Sequence, residues 1–83
     1  MKGTMGYTNF DHVVFQIAYH QLTGRHAAEA LAGGADTVAA LLSSTGSPEE
    51  AVMTAVGCCR LDAMRAVDGA TRQANEHRFA GRS

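Results

Sequence analysis

The chain has 83 residues, of which 46% are hydrophobic and 18% are charged. This balance is typical of a single folded domain and argues against a disordered chain. The seven Lys and Arg nearly cancel the eight Asp and Glu, so the formal net charge is −1. General nucleic-acid binding and polybasic membrane binding normally require excess positive charge, and the balance disfavours both classes.

The composition offers little bulk for a hydrophobic core. The chain contains two Tyr, three Phe and no Trp, and so short a chain buries only a modest core. We therefore expect self-association, because a second copy would complete the core.

The two cysteines, Cys58 and Cys59, are adjacent. A disulfide between neighbouring residues inside a helix would be strained, so reduced thiols are the simpler interpretation. No run of about 18 apolar residues exists, and the sequence predicts no membrane span. We expect a cytoplasmic protein.

The apolar pattern of residues 10–20 fits either a strand or a helix. Alternating β-branched and aromatic residues favour a strand, with one face formed by Val13, Phe15, Ile17 and Tyr19. The rival is a helix, because the same segment also contains an apolar stripe at helical spacing and Thr23-Gly24 could end it.

Two helices are predicted after this segment. Residues 25–43 combine an apolar stripe with small residues, and Thr23 is the predicted N-cap. Ser47-Pro48-Glu49-Glu50 predicts the start of the second helix. Serine suits the cap, proline the first helical position, and the acidic residues the positive end of the helix dipole. We expect this helix to continue to the mid-seventies.

The predicted fold is mainly α, with a short N-terminal strand followed by an antiparallel helical hairpin and completed by homodimerisation. The rival fold is an all-α arrangement of three helices. One domain covers residues 10–76, between a flexible leader at residues 1–9 and a frayed basic tail at residues 77–83. The predicted dimer core comprises Phe15, Ile17, Tyr19, Leu31, Val38, Leu42, Val56 and Cys59.

The order of strand, glycine turn and two helices resembles small uncharacterised bacterial strand–helix–helix proteins. The similarity spans roughly residues 13–70 and is carried by Tyr19, Gly24, Glu29-Ala30-Leu31, the small residues to Asp36, Leu61 and Met64. It implies no chemistry. Small phage-encoded inhibitors of host proteins share this size and architecture, and by analogy of fold the resemblance implies a protein-binding role.

Metal-binding and catalytic patterns are missing from the sequence. The candidate ligands are His12, His20, His26, His77, Cys58 and Cys59, but they form no CxxC, HxxxH or HExxH spacing. A reactive thiol is favoured at a helix N-terminus, whereas the predicted second helix places both cysteines in its middle. We expect no metal, no cofactor and no enzymatic activity.

We expect a small regulator that binds another protein, such as a phage-encoded inhibitor that blocks a bacterial host protein by steric occlusion. The predicted binding surface is the outward side of the strand and its neighbours, formed by Phe10, His12, Val14, Gln16, Ala18 and His20.

The alternative function is DNA binding, because a dimeric strand followed by two helices is the layout of ribbon-helix-helix repressors. Gln16 on such a strand could read adenine. However, no Lys or Arg lies between Gly3 and Gly24, and phosphate contacts require basic groups close to the ribbon.

Overall fold

The computed structural model describes residues 8–82, and side chains are described for residues 8–76. The helices in chain order are α1 (Asn9–Thr23), α2 (Ala27–Ala30), α3 (Ala35–Thr45), α4 (Pro48–Val56) and α5 (Arg60–Arg82). Between residues 8 and 82 no strand is present, which confirms the mainly α class. None of these helices is both long enough and apolar enough to cross a membrane.

Residues 10–20 belong to α1, so the predicted strand is wrong. A capping box starts the helix: the Thr8 hydroxyl accepts from the Asp11 amide at 3.2 Å, and the Asp11 carboxylate accepts from the Thr8 amide at 3.0 Å. Gly24 ends it in a left-handed conformation and donates its N–H to the carbonyl of His20. Caps at both ends and a buried helical face outweigh the β-branched alternation.

The predicted segments at the two ends of the chain lie largely outside the described residues. Residues 1–7 of the predicted leader are outside them, while Thr8 caps α1 and Asn9 is its first residue. The backbone of the predicted tail is helical as far as Arg82. The side chains of residues 77–83 are outside the described part of the chain.

The predicted helix over residues 25–43 is interrupted by a turn. α2 is a single turn, and Leu31 then leaves the helical conformation. Gly33 and Gly34 adopt φ values of 91° and 59°, a region that favours glycine. A Cβ on Gly34 would also lie 3.1 Å from the carbonyl oxygen of Ala28, so the glycine pair is what allows the chain to bend here.

Thr23 is not the N-cap that the sequence predicts for the next helix. It is the last residue of α1, and its hydroxyl donates to the carbonyl of Tyr19 at 2.8 Å. His26 holds the cap position of α2.

The predicted start of the following helix is confirmed. The Ser47 hydroxyl accepts from the Glu50 amide at 3.2 Å, and Pro48 is the first residue of α4. The predicted length is wrong, because α4 ends at Val56 and Gly57 follows with φ 82°. The chain becomes helical again only at Arg60.

The core forms mainly where α1 packs against α5 and α4. Among the described side chains, α5 contributes mainly small ones to it: Ala63, Ala66, Ala70 and Ala74 are at most 7% exposed, and half-buried Val67 packs beside them. Small residues let helix backbones approach closely, so larger side chains from the other helices fill the remaining space. The largest fully buried side chains are Phe15, Leu42, Val14, Val38 and Val52.

The residues predicted to form a dimer core separate into three groups. Phe15, Val38, Leu42 and Tyr19 are buried within one chain, while Ile17, Leu31 and Val56 are half-buried. Cys59 is exposed, and its predicted place in the core is wrong because the helix break precedes Arg60. One chain encloses Phe15 completely, so an incomplete core no longer argues for a dimer, and homodimerisation stays a prediction.

The neighbouring residues Val13 and Val14 test which side of α1 faces the core. Val14 is 1% exposed and Val13 is 44% exposed. Val14→Asp should lower the free energy of unfolding by about 3 kcal/mol or more, because it buries an unpaired carboxylate. Val13→Asp should lower it by less than about 1 kcal/mol. Urea denaturation followed by circular dichroism measures both, and the reverse order would support the strand interpretation.

Two glycines should respond oppositely to alanine. Gly69 lies inside α5, where an added Cβ would meet the Gln21 side-chain oxygen at an ordinary 3.7 Å. Gly69→Ala should therefore stabilise the protein by up to about 1 kcal/mol through helix propensity. Gly46→Ala has open space around its Cβ, but its φ of 79° should make the change destabilising by about 1 kcal/mol. Thermal unfolding of both variants tests the assigned backbone, and a shared sign would contradict it.

Candidate partner-binding site

The predicted partner-binding surface does not form. Val14 and Ala18 are 1% and 0% exposed, so they belong to the core rather than to an outer face. They are four residues apart, which places both on the buried side of a helix. His20 is exposed, whereas Phe10, His12 and Gln16 are half-buried. The six predicted residues therefore share no single accessible face.

Two large apolar side chains are exposed side by side on α5. Leu61 is 55% exposed and Met64 is 48% exposed, and their spacing of three residues puts them on one helical face. They line a shallow groove of about 420 Å³. We call it the α5 groove, and it is formed by Glu49, Leu61, Met64, Arg65, Val67, Asp68 and Thr71.

The joint between α4 and α5 positions the groove. Gly57 closes α4, and the Cys59 carbonyl accepts from the Ala63 amide at 3.1 Å as α5 begins. An ion pair then joins the second residue of α4 to the first residue of α5, with Arg60 Nη1 2.5 Å from Glu49 Oε1. Both partners are partly exposed, so the pair adds at most about 1 kcal/mol of stability.

Charged groups of both signs border the apolar part of the groove. Arg65 and Asp68 lie among the residues that line it, and Asp68 pairs with Arg72 at 2.9 Å. Apolar side chains, including methionine, beside a charged margin are a composition typical of protein–protein interfaces. The groove can therefore bury an apolar partner side chain while its margin stays solvated.

The cysteine pair lies outside the helices. Cys58 and Cys59 are in the short segment between α4 and α5, not in the middle of a helix as predicted. Both are free thiols; Cys58 is half-buried and packs against the core, and Cys59 is exposed. The pair therefore stands directly before the first residue of α5.

The histidines do not create a metal centre with the neighbouring side chains. His20 and His26 stack across the turn after α1, with ring centroids 4.8 Å apart and planes 26° apart. Nearly parallel rings do not direct their nitrogen lone pairs at one point. Among the described side chains, no group of three or more His, Cys, Asp or Glu is placed to hold a metal ion. His77 lies outside the described side chains.

Sequence analysis missed the exposure of Leu61 and Met64. The signal that could have found it is the complete alanine stripe beside them, at positions 63, 66, 70 and 74. Such a stripe already satisfies the helical period of a buried face. Leu61 and Met64, one or two positions from Ala63, then lie beside that buried face rather than on it.

The chain matches no protein-family model, no curated protein and no solved structure. The resemblance to small bacterial strand–helix–helix proteins therefore stays a prediction. The strand that it includes is α1 in the structure.

Because Leu61 and Met64 are exposed, substitutions there should affect stability much less than a substitution in the core. Replacing both Leu61 and Met64 by Gln should change the free energy of unfolding by less than about 1 kcal/mol. Leu42 is 0% exposed, and Leu42→Ala should cost about 2–5 kcal/mol. Urea denaturation compares the two variants. A double variant as unstable as Leu42→Ala would place Leu61 and Met64 in the core.

Proposed function

We propose that this chain is a small cytoplasmic, non-enzymatic regulator that binds another protein and blocks it by steric occlusion, as a phage-encoded inhibitor of a bacterial protein would. The observation that carries the proposal is the paired exposure of Leu61 and Met64 in the α5 groove. Large apolar side chains that are exposed together mark interaction surfaces more often than scattered ones do.

The shape of the groove favours a partner helix as its occupant. Its lining includes positions 61, 64, 68 and 71 of α5, which repeat at helical spacing. At 1.5 Å per residue the groove therefore follows α5 for about 15 Å, or about three helical turns. An amphipathic helix lying along it would insert apolar side chains at matching intervals.

The margin of the groove specifies the polar part of that partner helix. Arg65 favours an acidic neighbour on the partner. Glu49 and Asp68 already hold Arg60 and Arg72, so a basic partner residue would join these pairs from the solvent side. We therefore propose a partner helix with an apolar stripe and flanking charges of both signs.

The open form of the groove supports binding over catalysis. Small-molecule and catalytic sites enclose most of the surface of their ligand. The α5 groove is shallow, and its two most exposed side chains, Leu61 and Met64, are apolar. Such a surface provides contact area to a protein and leaves a small substrate exposed to water.

The ribbon-helix-helix alternative loses its reading element. It required a strand at residues 10–20 with Gln16 directed into the major groove of DNA. That segment is helical, and Gln16 is half-buried in α1. We therefore do not extend the proposal to DNA binding through this segment.

Selection from a displayed library of amphipathic helical peptides, with randomised apolar stripes and flanking charges, tests the proposal. We expect enriched peptides to bind the wild type and a Val13→Gln control with similar affinity, because exposed Val13 lies on α1. The Leu61→Gln/Met64→Gln variant should bind them at least about tenfold more weakly, the loss expected for one anchoring side chain of about 1.4 kcal/mol.

Two outcomes would overturn the proposed occupant. Library rounds that enrich no peptide, or peptides that bind all three proteins equally, would remove the groove as a helix-binding site. Sedimentation of the same proteins tests the predicted homodimer. A dimer lost in the groove variant and kept in the Val13→Gln control would assign the groove to a second copy of this chain.

A further inference from the structure

We propose that Cys58 and Cys59 together form a binding site for one soft, thiophilic centre, of the class of copper(I) or trivalent arsenic. The two thiols are adjacent and free, and both lie in the segment between α4 and α5. Cys59 is exposed and Cys58 is half-buried, so an ion from solvent meets Cys59 first. The site is independent of peptide binding in the α5 groove.

The location outside a helix is what makes joint binding feasible. Neighbouring residues of an α-helix are rotated by about 100° from each other, which separates their side chains. Residues 57–59 have no such constraint, because α4 ends at Val56 and α5 begins at Arg60. The Cys58 thiol packs against the core, so binding requires it to turn outward toward Cys59.

The short distance between neighbouring residues favours a bound ion over a disulfide. Adjacent Cα atoms are about 3.8 Å apart, which is below the 4.4–6.8 Å that unstrained disulfides span. A disulfide holds its sulfurs about 2 Å apart. When both sulfurs bind one ion through bonds of about 2.3 Å, they can lie up to about 4.6 Å apart. The short sulfur–sulfur distance that strains the disulfide is then not required.

The donor set selects the class of ion. Thiolates prefer soft centres such as copper(I). Two sulfur ligands are enough to coordinate such a centre. Zinc requires three or four protein ligands, and the described side chains offer no group of three. An organic arsenic(III) centre with one carbon substituent likewise has two positions left for sulfur.

The probe for this site is phenylarsine oxide, added to the full reduced chain. Two S–H bonds break and two As–S bonds form, and the arsenic oxygen leaves with both protons as water. Arsenic stays trivalent and no electrons are transferred. Intact-mass measurement under native conditions should show one phenylarsenic group bound per chain.

Competition with glutathione separates joint binding from reaction at a single thiol. The glutathione concentration that releases the arsenical should be at least about 100-fold higher for the wild type than for Cys58→Ser or Cys59→Ser. In the wild type the second thiol is held next to the first, so it binds the arsenic at a high effective concentration. Circular dichroism checks that each variant is folded. Cys58→Ala is the second variant at the half-buried position if serine disturbs packing there.

Equal release from the wild type and the single-cysteine variants would overturn the proposal, because each thiol would then react alone. An adduct that bridges two chains would overturn it as well. Neither result depends on Leu61 or Met64, so this test and the peptide selection fail independently.

Discussion

The close packing of α5 against α1 and α4 is the constraint on which the rest of the structure depends. Among the described side chains of α5, the buried ones are alanines at positions 63, 66, 70 and 74, with half-buried Val67 packed beside them. Alanine contributes little buried area, but it lets helix axes approach closely enough for Phe15 and Val52 from the other helices to close the core. The cost of this arrangement is that the large side chains at the start of α5 have no core position. The exposure of Leu61 and Met64, and the groove they line, follow from it.

Local signals in the sequence predict the helix ends better than apolar periodicity predicts the helix lengths. The start at Ser47-Pro48 and the candidate end at Thr23-Gly24 both rest on residues with a specific backbone role, and both are found in the structure. The break at Gly57 is missed because buried positions recur at helical spacing on both sides of it, as at Val52 and Ala63. An apolar pattern that continues at helical spacing on both sides of a glycine does not indicate that the helix ends at that glycine.

The error in the predicted binding surface has a single physical origin. In residues 10–20 a strand and a helix both place Phe15 and Tyr19 inward, but they disagree about the pairs Val13/Val14 and Ile17/Ala18. A strand would turn Val14 and Ala18 outward toward a partner, whereas the helix buries both in the core. The apolar side chains of the α5 groove lie on one helix at helical spacing, but the position of Glu49 beside them depends on how α4 and α5 meet. The chain turns there at the left-handed Gly57, which apolar periodicity does not encode.

The single turn α2 should unfold locally more easily than the helices on either side of it. Within the part of the chain that the structure describes, it contacts only α1 and α3, and among its four residues only Ala27 is buried. Glycines with positive φ at positions 24 and 34 lie on either side of it, so its few hydrogen bonds can break without disturbing the backbone of α1 or α3. The amide protons of α2 should therefore exchange rapidly with solvent, while those of the central helices should exchange only on global unfolding. This bend is also where the chain would accept added residues, or a proteolytic cut, with the least loss of the core.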